Sequence, residues 1–400
     1  MYTPPAEILE KYANVLINFA LNSGEGIKPG ETAYIRVPEC AKAMYVPLRN
    51  AVVKAGGYTI MQFTPDGVDP ESLFELSSDE QLTHFHQPYY KGLIDSIDHA
   101  VTVIAEADKY EYANISPEKI MLRSKSMQPF MKYREEKESA GKFTWTLGLF
   151  GTPAMAAEVD MTEEEYWQEI INACFLDEAD PVAKWKDVQR ELERVRAELN
   201  ALKIDHVHVV GDGIDLTVGI GENRQWLGGS GRNIPSFELF VSPDWRRTEG
   251  VISFNQPLYQ YGNRMSGITL TFKNGEIVEA TALENEGMLK ELVGQVNANK
   301  IGEFSLTDGR MSRITRVMAE TLYDENIGGP FGNTHIAVGN AYKDSFPGDI
   351  AAVTDQQWND MGYNESIVHT DIISTADRTV TATLPDGTEK IIYQSGKFTL

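Results

Sequence analysis

DPVAKWKDVQRELERVRAELNALK, residues 180–203, is the stretch on which the organisation of the chain turns. Asp180 stands as a helix cap, Pro181 sits where a first turn tolerates it, and the run that follows is long and charged, the pattern of a solvent-lapped helix. TEEEYWQEIINACF (162–175) reads the same way, so a helical bridge is expected over about 163–203. The sequence differs in texture on its two sides.

Upstream, helical and strand patterns alternate. AEILEKYANVLINFAL (6–21) spaces its apolar residues for a helix, TAYIRVP (32–38) reads as a strand, CAKAMYVPLRNAVVKAG (40–56) as a helix closed by glycine, and YTIMQF (58–63) and HAVTVIAEA (99–107) as further strands. This succession predicts an α/β domain with a mainly parallel sheet. Downstream come short strands and turns: HVHVVG (206–211), IDLTVGI (214–220), GITLTFKNG (267–275), EIVEATALE (276–284), a helix at GMLKELVGQVNA (287–298), then IVHTDIIS (367–374), TVTATL (379–384), a PDG turn and EKIIYQ (389–394). The expected division is an N-terminal α/β domain, 1–204, and a C-terminal α+β domain, 205–400.

Four hundred residues, 42% of them hydrophobic, suffice for two cores. A formal charge of -23, from 36 Lys+Arg against 59 Asp+Glu, repels phosphate backbones and anionic lipid, so no nucleic-acid or membrane partner is expected. No run of about 18 apolar residues and no secretory pattern is present. Cys40 and Cys174 form no CxxC pattern, so neither a disulfide framework nor a thiolate metal site is indicated and a cytoplasmic location is expected. The five glycines between Gly219 and Gly231 match no nucleotide-binding loop.

Seven histidines narrow the search for chemistry. In IVHTDII, His369 and Asp371 lie two apart in a strand-like run, so both point to one face, where an imidazole and a carboxylate can share a metal. His84/His86 and His206/His208 have the same spacing but poorer company: a polar, Pro-containing segment for one, a half-exposed strand for the other. TLYDENIGGPFGNTHIAVGNAY (321–342) gathers Asp324, Glu325, His335 and Tyr342 around a glycine-rich turn. Glu238 in RNIPSFELFVSP and Glu303 in KIGEFSLTD adjoin apolar runs where an unpaired carboxylate is costly. A metal would compensate them; so would Arg232, Arg247 or Arg310. Oxygen and imidazole donors suit zinc, cobalt, manganese or magnesium.

NIPSFELFVSP, IGEFSL, TLYDEN, THIAVGNAY and NESIVHTDIIS, in this order, resemble the thermophilic metalloprotease family of aminopeptidases, and the likeness extends over nearly the whole chain. The resemblance implies an N-terminal α/β domain, a C-terminal catalytic domain, a homodimer, and two divalent ions used to remove N-terminal residues from peptides. It carries the metal-ligand role to Glu238, Glu303, Glu325, His335, His369 and Asp371, and a catalytic role to Tyr342. Glu303 or Asp371 is the candidate shared carboxylate. Two departures stand out: IGGPFGNT separates Asn326 from His335 where the family pattern is shorter, and Phe237 precedes Glu238, which implies a more apolar entrance. Two rival classes use similar residues. A two-metal phosphoesterase would need cationic clamps that are sparse near these motifs; a non-catalytic metal- or peptide-binding module would keep the pocket without activating water.

Overall fold

The computed structural model describes residues 2–112, 114–260 and 263–400. The chain is a mixed α/β protein whose contacts group it into two compact units, Met1–Lys186 with Ser230–Ile234, and Asp187–Gly229 with Pro235–Leu400. The long helix Pro181–Leu202 runs through the division. Its buried side chains Trp185, Val188, Leu192, Val195 and Leu199 recur every three or four residues, which places them on one stripe and leaves the charged residues to solvent.

The first unit is built on a five-stranded parallel sheet in the spatial order Tyr58–Thr64, Thr32–Pro38, His99–Ile104, Thr144–Leu149, Asn233–Ile234. Parallel neighbours require a crossover, and helix Tyr45–Lys54 supplies the one between the first two strands in sequence. Three of these strands lie where the sequence places them; the sequence reading does not anticipate Thr144–Leu149 or the two-residue Asn233–Ile234. His99, 2% exposed, is spent on the fold: its ring nitrogens contact Glu31 Oε2 and Thr144 Oγ1, each at 2.8 Å.

The second unit contains an eight-stranded antiparallel sheet in the order Glu276–Thr281, Thr269–Lys273, Thr248–Ser253, Ile214–Gly219, His206–Gly211, Arg378–Thr383, Glu389–Gln394, Lys397–Phe398. Val207 and Val209 are buried while His208 and Val210 face solvent, the alternation of a sheet with one wet face. A separate four-stranded antiparallel sheet runs His369–Ser374, Asn333–Gly339, Ile301–Thr307, Glu238–Val241. Buried Arg378 and Tyr393 tie the two sheets together. The Arg378 guanidinium donates to Thr334 Oγ1 and, at 3.3 Å, to the Tyr393 hydroxyl, which in turn donates to the Thr307 carbonyl at 2.8 Å.

Among the described residues no helix is long and apolar enough to cross a membrane.

Candidate metal centre

The register of the four-stranded sheet assembles the site. Glu303 and Asp371 stand on either side of Ala337, His335 opposite Ser305 and Ile373, Glu238 opposite Thr307, and His369 opposite Gly339. Because alternate strand residues share a face and directly paired residues point the same way, all five candidate side chains project from one face. Glu325 reaches them from outside the sheet. It caps the short helix Thr321–Asp324, and its own carbonyl accepts the Asn333 side-chain amide at 2.9 Å.

His335 Nε2 lies 3.1 Å from Glu303 Oε1, 3.2 Å from Glu238 Oε2 and 3.9 Å from Asp371 Oδ1. His369 Nε2 lies 3.7 Å from Asp371 Oδ1 and 4.0 Å from Glu303 Oε2. Glu303 thus turns one oxygen toward each imidazole. Glu238, Glu303 and His335 form the one group of potential ligands, among the described residues, whose donor atoms all fall within 4.8 Å.

Burial of so much negative charge has consequences. Desolvation, with Glu238 and Asp371 nearby, pushes Glu303 up to about 7. Desolvation and the neighbouring Glu238 and Asp371 also raise Glu325 well above the carboxylate range. Burial opposes a charge on His335, yet hydrogen bonds to Glu238 and Glu303 outweigh it and raise its pKa; His369 is raised too, Asp371 and Glu303 overcoming its burial. Protons are retained where positive charge is short. Two buried polar atoms here, His335 Nδ1 and Asp371 Oδ1, have no hydrogen-bond partner. Carboxylate oxygens and imidazole nitrogens converging in a buried, charge-starved cluster fit divalent cations.

The alternative of arginine pairing is not realised. Arg232 pairs with Glu138, Arg247 with Asp205 and Arg310 with Asp308, whereas the ion-pair partners of Glu238, Glu303 and Asp371 among the described residues are histidines. The other paired histidines have partners of their own: His206 and His208 contact Asp205 and Asp215, and the His84 and His86 rings contact each other.

Several supports escaped the sequence reading. The Asn340 carbonyl accepts from His369 Nδ1 at 2.8 Å, Ser305 Oγ donates to Glu238 Oε2 at 3.1 Å, and Asn326 Oδ1 accepts the Phe237 amide at 2.7 Å. Phe237 is fully buried, so it packs in the core and does not make the entrance more apolar. The IGGPFGNT segment bends back to the body of the unit: Asn333 Nδ2 holds the Glu325 and Ile327 carbonyls, and Tyr393 holds that of Phe331. Gly302 and Gly339 permit close backbone approaches, since a Cβ on either would lie 2.1 Å from a carbonyl oxygen, that of Asn340 or of Val368.

Tyr342 follows the Asn333–Gly339 strand and is 44% exposed, which removes it from the core. Its ring lies 4.6 Å from that of His369 and 6.0 Å from that of Phe240. Partial desolvation, with the charges of Glu303, Asp371, Glu325 and Glu238 nearby, raises its pKa far above the ordinary value, so it stays a hydrogen-bond donor.

The model of the thermophilic metalloprotease (M29) family matches residues 6–398. The chain belongs to that family. It is therefore a peptide hydrolase of a metal-dependent class. Aminopeptidase PepS of Streptococcus thermophilus is 28% identical, with 98% of each chain covered. Aminopeptidase T of Thermus aquaticus is 29% identical, over 98% of this chain and 99% of its own. The solved structure of wild-type AmpT from Thermus thermophilus superposes with a TM-score of 0.82 at 26% identity, covering 98% of this M29 chain and 99% of that one.

Proposed function

We propose that this chain is a metal-dependent aminopeptidase that removes N-terminal residues from peptides, with residues 205–400 as its catalytic domain and 1–204 as an accompanying α/β domain. The observation that carries the reading is the convergence of Glu238, Glu303, His335, His369 and Asp371 on one sheet face, with cation-deficient electrostatics. The relatives named aminopeptidases support the exopeptidase part.

These five residues and Glu325 would hold two divalent ions, zinc, cobalt, manganese or magnesium, with Glu303, which offers one oxygen to each imidazole, as the shared carboxylate. Divalent ions, when bound, polarise the scissile carbonyl and bring the pKa of water down to about 7. The residues do the rest. His369, its Nδ1 hydrogen engaged by Asn340, presents Nε2 as a lone-pair donor. The chain's net charge of -23 favours the approach of a substrate's free α-ammonium. Tyr342, kept protonated, donates its hydroxyl to the oxyanion as the attacked carbonyl becomes tetrahedral.

A phosphoesterase would need Lys or Arg to clamp phosphate, and Glu238, Glu303 and Asp371 have only histidine ion-pair partners among the described residues. The working form is proposed to be a cytoplasmic homodimer, testable by sedimentation at micromolar concentration; a monomer throughout would count against it. The activity itself is tested by comparing peptides with free and N-acetylated termini. Cleavage of the free series alone is expected; comparable turnover of both would mark an endopeptidase, and turnover of aryl phosphates instead would return the phosphoesterase.

A further inference from the structure

Tyr342 lies outside any strand, so its position depends on what holds its backbone. Its N–H donates to Ser242 Oγ at 2.8 Å. Ser242, at the end of the strand that carries Glu238, is fully buried. The Ser242 N–H donates in turn to Ser345 Oγ at 3.0 Å, and the Ser345 N–H returns to the Tyr342 carbonyl at 3.1 Å. The loop closes on itself. Two hydroxyls and four backbone groups form this clasp around the tyrosine.

The clasp is itself anchored. The Arg224 guanidinium donates to the Ser242 carbonyl at 2.7 Å and to the Met361 carbonyl at 2.8 Å, and it stacks 3.6 Å from the centre of the Tyr363 ring. Gln225 holds the other serine, its N–H donating to the Ser345 carbonyl at 2.8 Å and its side-chain amide to the Asp344 carbonyl at 2.9 Å. So many bonds at one short turn are more than a surface loop requires. They fix a residue 44% exposed, whose hydroxyl must meet a reacting atom within a fraction of an ångström.

We propose that Ser242 is a positioning residue: by accepting the Tyr342 N–H, its hydroxyl sets where the Tyr342 side chain stands over His369 and the carboxylate cluster. The proposal rests on the reading of Tyr342 as the oxyanion's donor. Ser242 is fully buried and so closed to substrate. Its effect passes through the tyrosine, which distinguishes it from a residue that merely stabilises the unit.

The test is a double-mutant cycle in the metal-loaded enzyme, with kcat, KM, bound metal and melting temperature measured for S242A, Y342F and the pair. Ser242→Ala is expected to lower kcat by roughly ten- to a hundredfold, as a small misplacement of a catalytic group does, with KM and metal content unchanged. In the Tyr342→Phe background the same change is expected to lower kcat by less than about twofold, because the coupled group is already gone. Equal losses in both backgrounds would overturn the proposal, as would a fully active S242A beside an impaired Y342F. A fully active Y342F would instead overturn the reading of Tyr342, and this proposal with it. Should S242A fail to fold, Ser345→Ala removes the next bond of the clasp and is held to the same pattern, with the same results overturning the proposal.

Discussion

The Nδ1–H of His369 donates to the backbone carbonyl of Asn340 at 2.8 Å. A carbonyl can only accept, so this contact puts a hydrogen on Nδ1 and, in the neutral ring, leaves the lone pair on Nε2, the atom turned toward Asp371 and Glu303. The approach is close because Gly302, which neighbours Glu303, has no side chain to collide with Asn340.

Gly302→Ala is therefore expected to destabilise the protein and to weaken metal binding, since the new Cβ would lie 2.1 Å from the Asn340 oxygen and one of the two must move. Overpacking of this kind costs about 1–3 kcal/mol or more. Gly287→Ala is the control: it lies inside the Glu286–Val293 helix with open space around it, and alanine there should stabilise by up to about 1 kcal/mol. Thermal melts of both variants beside the parent check the contrast.

Removing a ligand should cost more metal affinity than removing a neighbour of one, for which about 10- to 100-fold is typical. His369→Ala and Asp371→Ala are expected to exceed that range, while His206→Ala, in the other sheet with its ring on Asp205, leaves affinity unchanged. Calorimetric titration with zinc or cobalt gives the values. Weak binding in H206A with normal binding in the other two would move the site.

Tyr342→Phe keeps the ring against His369 and removes only the hydroxyl. A donor used in the transition state typically contributes about 10²- to 10³-fold to kcat, so steady-state kinetics should show that fall with KM and metal content near the parent values. Loss of metal along with activity would make Tyr342 a ligand.

The first unit offers a prediction independent of the site. Burial works against the charge on Glu31, but hydrogen bonds from His99, the Lys28 amide and Asn22 prevail and lower its pKa below the ordinary 4.5. A depressed carboxyl stabilises the fold above its unfolded pKa, and that stability is lost as pH falls through the folded value. Glu31→Gln should therefore melt earlier than the parent at neutral pH, and the gap should close in acid below pH 4.5. A gap that persists unchanged at low pH would assign the effect to packing.

Alternation made much of the fold legible. His206–Gly211 and Ile214–Gly219 show one wet and one dry face and were readable as strands, as was the helix Pro181–Leu202 from its charge and its opening proline. Of the strands that carry the candidate centre, only His369–Ser374 was. Ile301–Thr307 and Asn333–Gly339 are buried at every position, so they have no period of two to detect. Their chemistry-bearing residues were found through motifs, and the sheet that unites them was not. The supports lay further out of reach: Asn340 acts through a backbone carbonyl 29 residues from His369, and Ser242 through a hydroxyl 100 residues from Tyr342. Neither leaves a local signal. Phe237 misled because a position next to a candidate ligand says nothing about which side of the strand its ring takes.

The most direct test of the account is the activity of chelator-stripped protein on an amino-acid anilide as zinc, cobalt, manganese or magnesium is added back in measured equivalents. No turnover is expected at zero metal, with activity rising until about two equivalents per chain are bound, as a two-metal site requires. Full turnover by rigorously metal-free protein would contradict the metal mechanism outright, and saturation at one equivalent would contradict its two-metal form.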